Sequence, residues 1–249
     1  MSQAMPHPPP SGKNFSPSEL RLRWAELGLI LLIAFGSSIL YSLDVAFFHP
    51  YSSSLTSSYG ALRMAGKILD EAAQLLLLIY VLFRQGRRLI DITQKFRWQD
   101  VPVAGVLFLA STLMYSLFYY VGYYGIAAMG FHFPRHALNT DFIRQSVHQG
   151  LSGIFTSFSL AVINPFAEEL IVRAYLISEV IDLTGKPVLA ITISVLFQTA
   201  YHLYQGILQP IGYLGLFFVF AVYYARTRRI FPVILAHMAD DVGAMWHYL

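Results

Sequence analysis

The sequence predicts an all-α, polytopic transmembrane helical bundle of seven or eight spans with a central polar cavity. Its 249 residues are 56% hydrophobic and only 12% charged, whereas an ordinary soluble domain is about 25% charged. Apolar runs long enough to cross a bilayer recur along the chain. Charged or imidazole side chains interrupt three of the later runs, and ionisable groups at membrane depth usually serve a function.

The charge and the cysteine content exclude several kinds of site and partner. The chain has no cysteine and a formal net charge of +3, so disulfides and thiolate metal sites are excluded. Its basic residues gather in short connections at 84–97 and 226–229, a pattern typical of membrane-topology signals. We therefore expect an integral, multi-pass membrane protein, in the plasma membrane if the source is bacterial, with no nucleic-acid partner.

Residues 1–16 are expected to form a disordered N-terminal tail, because they are polar with prolines at 6, 8, 9 and 10. The tail lacks the features of a signal peptide, so we do not expect it to be removed. Ser16, Pro17 and Glu19 form a capping-box pattern that begins the first helix.

Residues 17–144 are predicted to form N-terminal transmembrane helices, with spans at 27–48, 61–83 and 101–124. The second span contains Lys67, with Asp70 and Glu71 three and four residues later. This spacing allows mutual neutralisation on one helix face. A polar lining near the cavity is the alternative interpretation.

Residues 145–249 complete the bundle, with apolar segments at 145–163, 166–183, 188–204, 211–225 and 231–248. Pro165 is expected to bend or break the helix in which it lies. Two crossings around Pro165 give eight spans and place the two basic connections on opposite sides of the membrane. One kinked crossing gives seven spans and satisfies the positive-inside rule, and the sequence leaves both arrangements open.

The most unusual stretch lies just after Pro165 and contains Glu168, Glu169 and Arg173 inside apolar sequence. At about 100° per residue, Glu169 and Arg173 share a helix face and form a predicted structural ion pair. Glu168 points away from that pair and is free to face a cavity, where a carboxylate suits a general base or a proton shuttle. The alternative is that all three residues only tie helices together.

Two further polar sites contain imidazoles, at His202 and at His237. Either imidazole alone is compatible with hydrogen bonding between helices. Asp241 lies one helical turn after His237, and Asp240 could take its place. Two imidazoles and a carboxylate are the usual minimum for a catalytic zinc site. We therefore expect that a divalent metal, with zinc the favoured ion, could be held by His202, His237 and Glu168.

At these residues the chain resembles the CPBP family of intramembrane proteases, which includes the type II CAAX prenyl endopeptidases and the Abi proteins. The family motifs correspond to Glu168-Glu169-x-x-x-Arg173, to a segment from Phe197 to His202, and to His237-x-x-x-Asp241. Phe197 precedes His202 by five residues, where the common family spacing is four, so the role of Phe197 is not carried over. The resemblance covers residues 166–241, within a catalytic core expected at 145–249.

The resemblance implies a conical membrane cavity in which Glu168 activates water with the help of His202. It further implies that His237 and Asp241 hold the oxyanion or help to bind a metal. Both a metalloprotease and a glutamate-dependent hydrolase agree with these residues. The implied substrate is a membrane-associated protein or peptide, prenylated or not.

Two other functions agree with buried acids and histidines in a helical bundle. A proton- or ion-coupled transporter uses such groups as a relay, although the two halves of this chain show no internal repeat. A catalytically silent membrane scaffold of the same fold is the second alternative.

Overall fold

The computed structural model describes residues 15–48, 61–131, 151–206 and 208–246, and every regular element in these ranges is helical. The predicted tail up to residue 14, the connection at 49–60 and the segment at 132–150 lie outside the described residues. The elements are α1 (Pro17–Phe47), α2 (Ala61–Arg84), α3 (Leu89–Thr93), α4 (Asp100–Ala128), α5 (Leu151–Glu168), a π-helical segment (Glu169–Tyr175), α6 (Leu176–Thr184), α7 (Pro187–Ala200), a 3₁₀ turn (Leu203–Gln205), α8 (Leu208–Thr227) and α9 (Phe231–Trp246).

Three of these helices, α1, α4 and α8, are long and apolar enough to cross a membrane. The most apolar stretches of α1 and α4 are only 22% and 17% buried within the protein. Leucines on their outer faces, such as Leu40 and Leu113, are 70% and 69% exposed. Apolar surface of this extent needs a lipid or protein partner, so the predicted all-α membrane character is confirmed. The number of spans stays a prediction.

Helix α1 begins at the predicted capping box, which is confirmed. The Ser16 hydroxyl accepts a hydrogen bond from the Glu19 backbone N–H at 3.3 Å. The Glu19 carboxylate accepts one from the Ser16 backbone N–H at 2.8 Å. These bonds satisfy two N–H groups that a helix start would otherwise leave unpaired.

The chain continues as one helical run from Leu151 to Thr184, with Pro165 inside it. The interpretation of this region as two separate helices is therefore wrong. A proline inside a helix removes one hydrogen bond and costs about 3 kcal/mol, and here every residue of the following segment, Glu169–Tyr175, is buried. That burial offsets the loss. The segment itself is π-helical, a form that is rare and often found at functional sites.

The two basic connections lie at the same end of the bundle. The Ile230 backbone N–H donates to the Thr93 carbonyl at 3.4 Å, and the Gln94 side-chain amide donates to the Thr227 carbonyl at 3.2 Å. This placement is the one expected when the run from Leu151 to Thr184 crosses the bundle once.

A buried carboxylate holds this end of the bundle together. Glu179 of α6 is fully buried and pairs with Arg23 of α1 at 2.6 Å and with Arg87 of the α2–α3 connection at 2.9 Å. Two charge-assisted hydrogen bonds reach it from Arg23 alone. The N-terminal helices are thereby fixed against the part of the chain that contains the paired glutamates.

Helices α4 and α8 approach each other closely at two glycines of α8. A Cβ added at Gly215 would lie 2.4 Å from the Met114 backbone carbonyl oxygen, and one at Gly212 would lie 2.5 Å from the Tyr115 ring. Small residues at helix contacts let backbones approach and increase van der Waals packing between membrane helices. The α4–α8 contact therefore depends on the absence of side chains at these positions.

We predict that Gly215→Ala destabilises the protein by about 1–3 kcal/mol, because its methyl group meets backbone that cannot move aside. Gly105→Ala on α4 is the matched control, since no atom lies within 4 Å of its Cβ position. There the substitution is neutral or stabilising by up to about 1 kcal/mol. Thermal unfolding of both variants in detergent measures the difference, and equal melting temperatures would contradict the close approach.

Candidate active site

A cavity of about 630 Å³ lies between α1, α2, α5 and the turn that follows α7. Its volume is within the range of about 300–1,000 Å³ that is typical of ligand pockets. Both Glu168 and His202 line it. We call it the polar cavity.

Two N-terminal helices supply much of the wall at helical spacing, so that one face of each helix meets the cavity. From α1 the lining residues are Ala34, Phe35, Ser37, Ser38 and Tyr41. From α2 they are Gly66, Lys67, Asp70, Glu71 and Gln74. The Lys67 ammonium lies 3.8 Å from a Glu71 carboxylate oxygen. The charges therefore line the cavity as one interpretation expected, and the pairing along α2 is confirmed for Lys67 and Glu71, whereas Asp70 accepts a hydrogen bond from Gln74.

Glu168 stands at the end of α5 with 7% of its surface exposed. One carboxylate oxygen accepts a hydrogen bond from the Asn164 amide at 2.6 Å. The other accepts from the Gln198 amide at 3.2 Å and from the Tyr201 hydroxyl at 3.0 Å. All three donors are neutral, so they orient the carboxylate without supplying a counter-charge.

Glu169 is fully buried and has different neighbours. The Arg173 Nε lies 3.6 Å from one of its oxygens, and Arg173 is itself fully buried. The His237 Nδ1 lies 2.9 Å from the other oxygen. The adjacent glutamates therefore differ in environment, with Glu168 facing the polar cavity and Glu169 facing cations and donors inside the bundle.

The Gln198 amide joins the two glutamates. Its nitrogen lies 3.2 Å from an oxygen of Glu168 and 3.3 Å from an oxygen of Glu169. The contacts continue from Glu169 to His237 and from the His237 Nε2 to Asp241 at 3.8 Å. A chain of polar contacts therefore connects the Glu168 carboxylate with the last helix of the bundle.

His202 lies just beyond α7, which ends at Ala200, and not inside a helix. Its Nδ1 is 3.4 Å from the Gln205 amide nitrogen. The Tyr213 hydroxyl donates to the Gln205 oxygen at 2.7 Å and so fixes the orientation of that amide. We therefore assign the imidazole proton to Nε2, which is buried and has no hydrogen-bond partner among the residues that the structure describes.

The structure brings Glu168 and His202 to one cavity and leaves His237 and Asp241 outside its lining. The Phe217 ring contacts both imidazoles, with its centroid 5.4 Å from that of His202 and 6.2 Å from that of His237. Asp240, the alternative to Asp241, instead accepts hydrogen bonds from the Ser111 hydroxyl of α4 at 3.3 Å and from a neighbouring threonine.

The three side chains predicted to bind a metal, those of His202, His237 and Glu168, do not share one site in this structure. Within the described ranges, no three His, Cys, Asp or Glu side chains lie close enough together to hold a metal ion. The His237 Nδ1 faces Glu169, and His237 does not line the cavity that His202 and Glu168 share. In this arrangement the three side chains do not fit a common ion, and zinc binding stays a prediction.

Sequence reasoning missed the residues that orient Glu168, namely Asn164, Gln198 and Tyr201. Tyr201 stands four residues after Phe197, the position at which the family pattern places its histidine, and its hydroxyl contacts Glu168. The Phe35 ring stacks on Tyr201 at 4.8 Å, and the Ser42 hydroxyl donates to the Tyr201 carbonyl at 2.6 Å. Helix α1 therefore holds the turn that presents His202.

The region of the chain that contains these site residues matches a known protein family. The sequence profile described as "Type II CAAX prenyl endopeptidase Rce1-like" matches residues 150–243, which confirms the family resemblance noted in the sequence. The matched region runs from α5 into α9 and contains both glutamates and both histidines. No curated protein and no solved structure matches the chain.

We predict that Glu169→Gln destabilises the protein by about 3–5 kcal/mol, because it leaves the buried Arg173 guanidinium without a carboxylate. Glu168→Gln is the matched comparison, since only neutral donors contact that carboxylate, and it should change stability by no more than about 1 kcal/mol. Thermal unfolding in detergent measures both. Equal losses of stability would contradict the different environments of the two glutamates.

Proposed function

We propose that the chain, whose residues 150–243 match the sequence profile described as "Type II CAAX prenyl endopeptidase Rce1-like", is an intramembrane endopeptidase. Its substrate is a membrane-associated protein or peptide, prenylated or not. The observation that carries the proposal is the shared polar cavity, which is lined by the Glu168 carboxylate and by His202, whose buried Nε2 has no partner among the described residues.

Glu168 acts as the general base. Its three neutral donors hold the carboxylate in place, and a water molecule in the cavity can donate a hydrogen bond to it. As the water oxygen attacks the scissile carbonyl carbon, Glu168 takes one water proton. It then returns that proton to the leaving nitrogen, the C–N bond breaks, and the new carboxylic acid passes its remaining water proton to the amine, so that the products are a carboxylate and an ammonium group.

His202 supplies a hydrogen-bond donor to the reacting oxygen. With the proton on Nε2, the neutral imidazole cannot accept a proton there, but it can donate to the carbonyl oxygen as negative charge develops. A preorganised donor in a site that excludes bulk water stabilises such a charge strongly. Its contact with Gln205 keeps the ring from turning away.

His237 and Asp241 enter this proposal as positioning residues. Through Glu169 they help to hold Gln198, which donates to Glu168. Their direct contact with the oxyanion, which the family resemblance implies, stays a prediction. No step of this mechanism runs through a metal ion.

We predict that Glu168→Gln and His202→Ala each lower kcat/KM for peptide cleavage by at least about 10²-fold, the usual contribution of a general base or an oxyanion donor. Purified protein in liposomes is incubated with a peptide library in prenylated and unmodified forms, and mass spectrometry identifies the products. The two forms of the library show whether the substrate must carry a prenyl group.

Asp91→Asn is the control for this assay. It removes a carboxylate from the exposed start of α3, away from the polar cavity, and should leave cleavage unchanged. Full activity of Glu168→Gln would contradict the proposal. Thermal unfolding of the same samples measures how much of each variant is folded. If activity falls only in proportion to the loss of folded protein, the proposal is also contradicted.

A further inference from the structure

Glu71 of α2 is the buried ionisable group of the polar cavity that the mechanism above does not use. It lines the same cavity as Glu168 and has 5% of its surface exposed. Neither of its carboxylate oxygens has a hydrogen-bond partner among the described residues. A carboxylate can accept about four hydrogen bonds, so Glu71 presents free acceptor capacity in the wall of the cavity.

The neighbours of Glu71 neutralise it only in part. The Lys67 ammonium is 3.8 Å away, beyond hydrogen-bond length, and 42% of the Lys67 side chain is exposed. Asp70, the next carboxylate of the wall, already accepts a hydrogen bond from Gln74 at 3.0 Å. The lining as a whole contains three carboxylates and one ammonium group. The field inside the cavity therefore favours a cation.

Removing a charge from water is unfavourable unless a partner of opposite charge replaces the lost hydration. Glu71 has little contact with solvent and faces the Lys67 ammonium only at 3.8 Å, so among the described residues it lacks a close, hydrogen-bonded partner of opposite charge. A ligand that brings a positive charge into the cavity would provide one. A lysine or arginine side chain of a peptide can do so while the peptide backbone passes Glu168, because both carboxylates line the same cavity.

We propose that Glu71 is a specificity residue that selects substrates with a lysine or arginine side chain close to the scissile bond. This inference rests on the proposed peptidase function and adds a substrate class to it. The basic side chain pairs with Glu71 while Glu168 and His202 act on the neighbouring peptide bond. Lys67 faces Glu71 from the preceding turn of α2.

The test compares two peptides that differ only in lysine or norleucine near the cleavage site. The wild-type protein should prefer the lysine peptide by about ten-fold or more in kcat/KM, the size expected for a close charge pair in a buried site. Glu71→Gln should reduce this preference to about one-fold. Glu71→Lys should reverse it toward a third peptide with glutamate at the same position, and this reversal shows that the variant is folded.

Glu19→Gln is the matched control, because it makes the same chemical change at the exposed start of α1 and should leave the lysine preference unaltered. Binding is measured separately with the Glu168→Gln protein and fluorescent forms of the same peptides. Preferential binding of the lysine peptide, lost when Glu71→Gln is added, supports the inference even if no peptide is cleaved. An absence of cleavage by the wild-type protein would overturn the proposed peptidase function alone.

Two results would overturn the inference itself. The first is a wild-type protein that binds and cleaves the lysine and norleucine peptides equally. The second is a Glu71→Gln variant that slows both peptides by the same factor, which would make Glu71 a proton donor or a structural residue.

Discussion

The structure depends on how two adjacent carboxylates are accommodated where water is scarce. Glu168 and Glu169 follow each other at the junction of α5 and the π-helical segment, and both are buried. Each such group must find donors or a counter-charge inside the protein. A single amide, that of Gln198, donates to both. The remaining neighbours differ, and this difference separates a carboxylate that faces the polar cavity from one that faces Arg173 and His237 inside the bundle.

The rest of the fold keeps this arrangement in place from two directions. At one end of the bundle, Glu179 ties α1 and the α2–α3 connection to α6. Nearer the cavity, α1 contacts the turn after α7 through Phe35 and Ser42. Because α5, the π-helical segment and α6 form one continuous run, a constraint at Glu179 also limits movement of the paired glutamates.

Much of the fold and part of the site could be predicted from the sequence. Long apolar runs indicate membrane helices whatever their packing, and the four-residue spacing of Glu169 and Arg173 places them on one helix face. The sequence left continuity through Pro165 open, because the local cost of a proline is visible in the sequence whereas the burial of Glu169–Tyr175 is not. Tyr201 and Gln198 were missed for a related reason. Neutral hydrogen-bonding residues are common in membrane helices and gain meaning only from the carboxylate beside them.

The charged residues of α2 show a second limit of prediction from the sequence. Pairing between Lys67 and Glu71 is local and follows from helical spacing, but the location of that pair in the wall of the cavity depends on how α2 packs against α1 and α5. A sequence read along one helix offers two interpretations of such charges. The tertiary structure shows that both hold at once.

The walls of the polar cavity come from two different parts of the chain. Glu168, Tyr201 and His202 lie within the region that matches the family profile, whereas the α1 and α2 residues that face them come earlier in the chain. Substitutions on α2 can therefore change the wall of the polar cavity without removing any of the three donors that hold Glu168. Helix α1 is less free to vary, because Phe35 and Ser42 also hold the turn that carries His202.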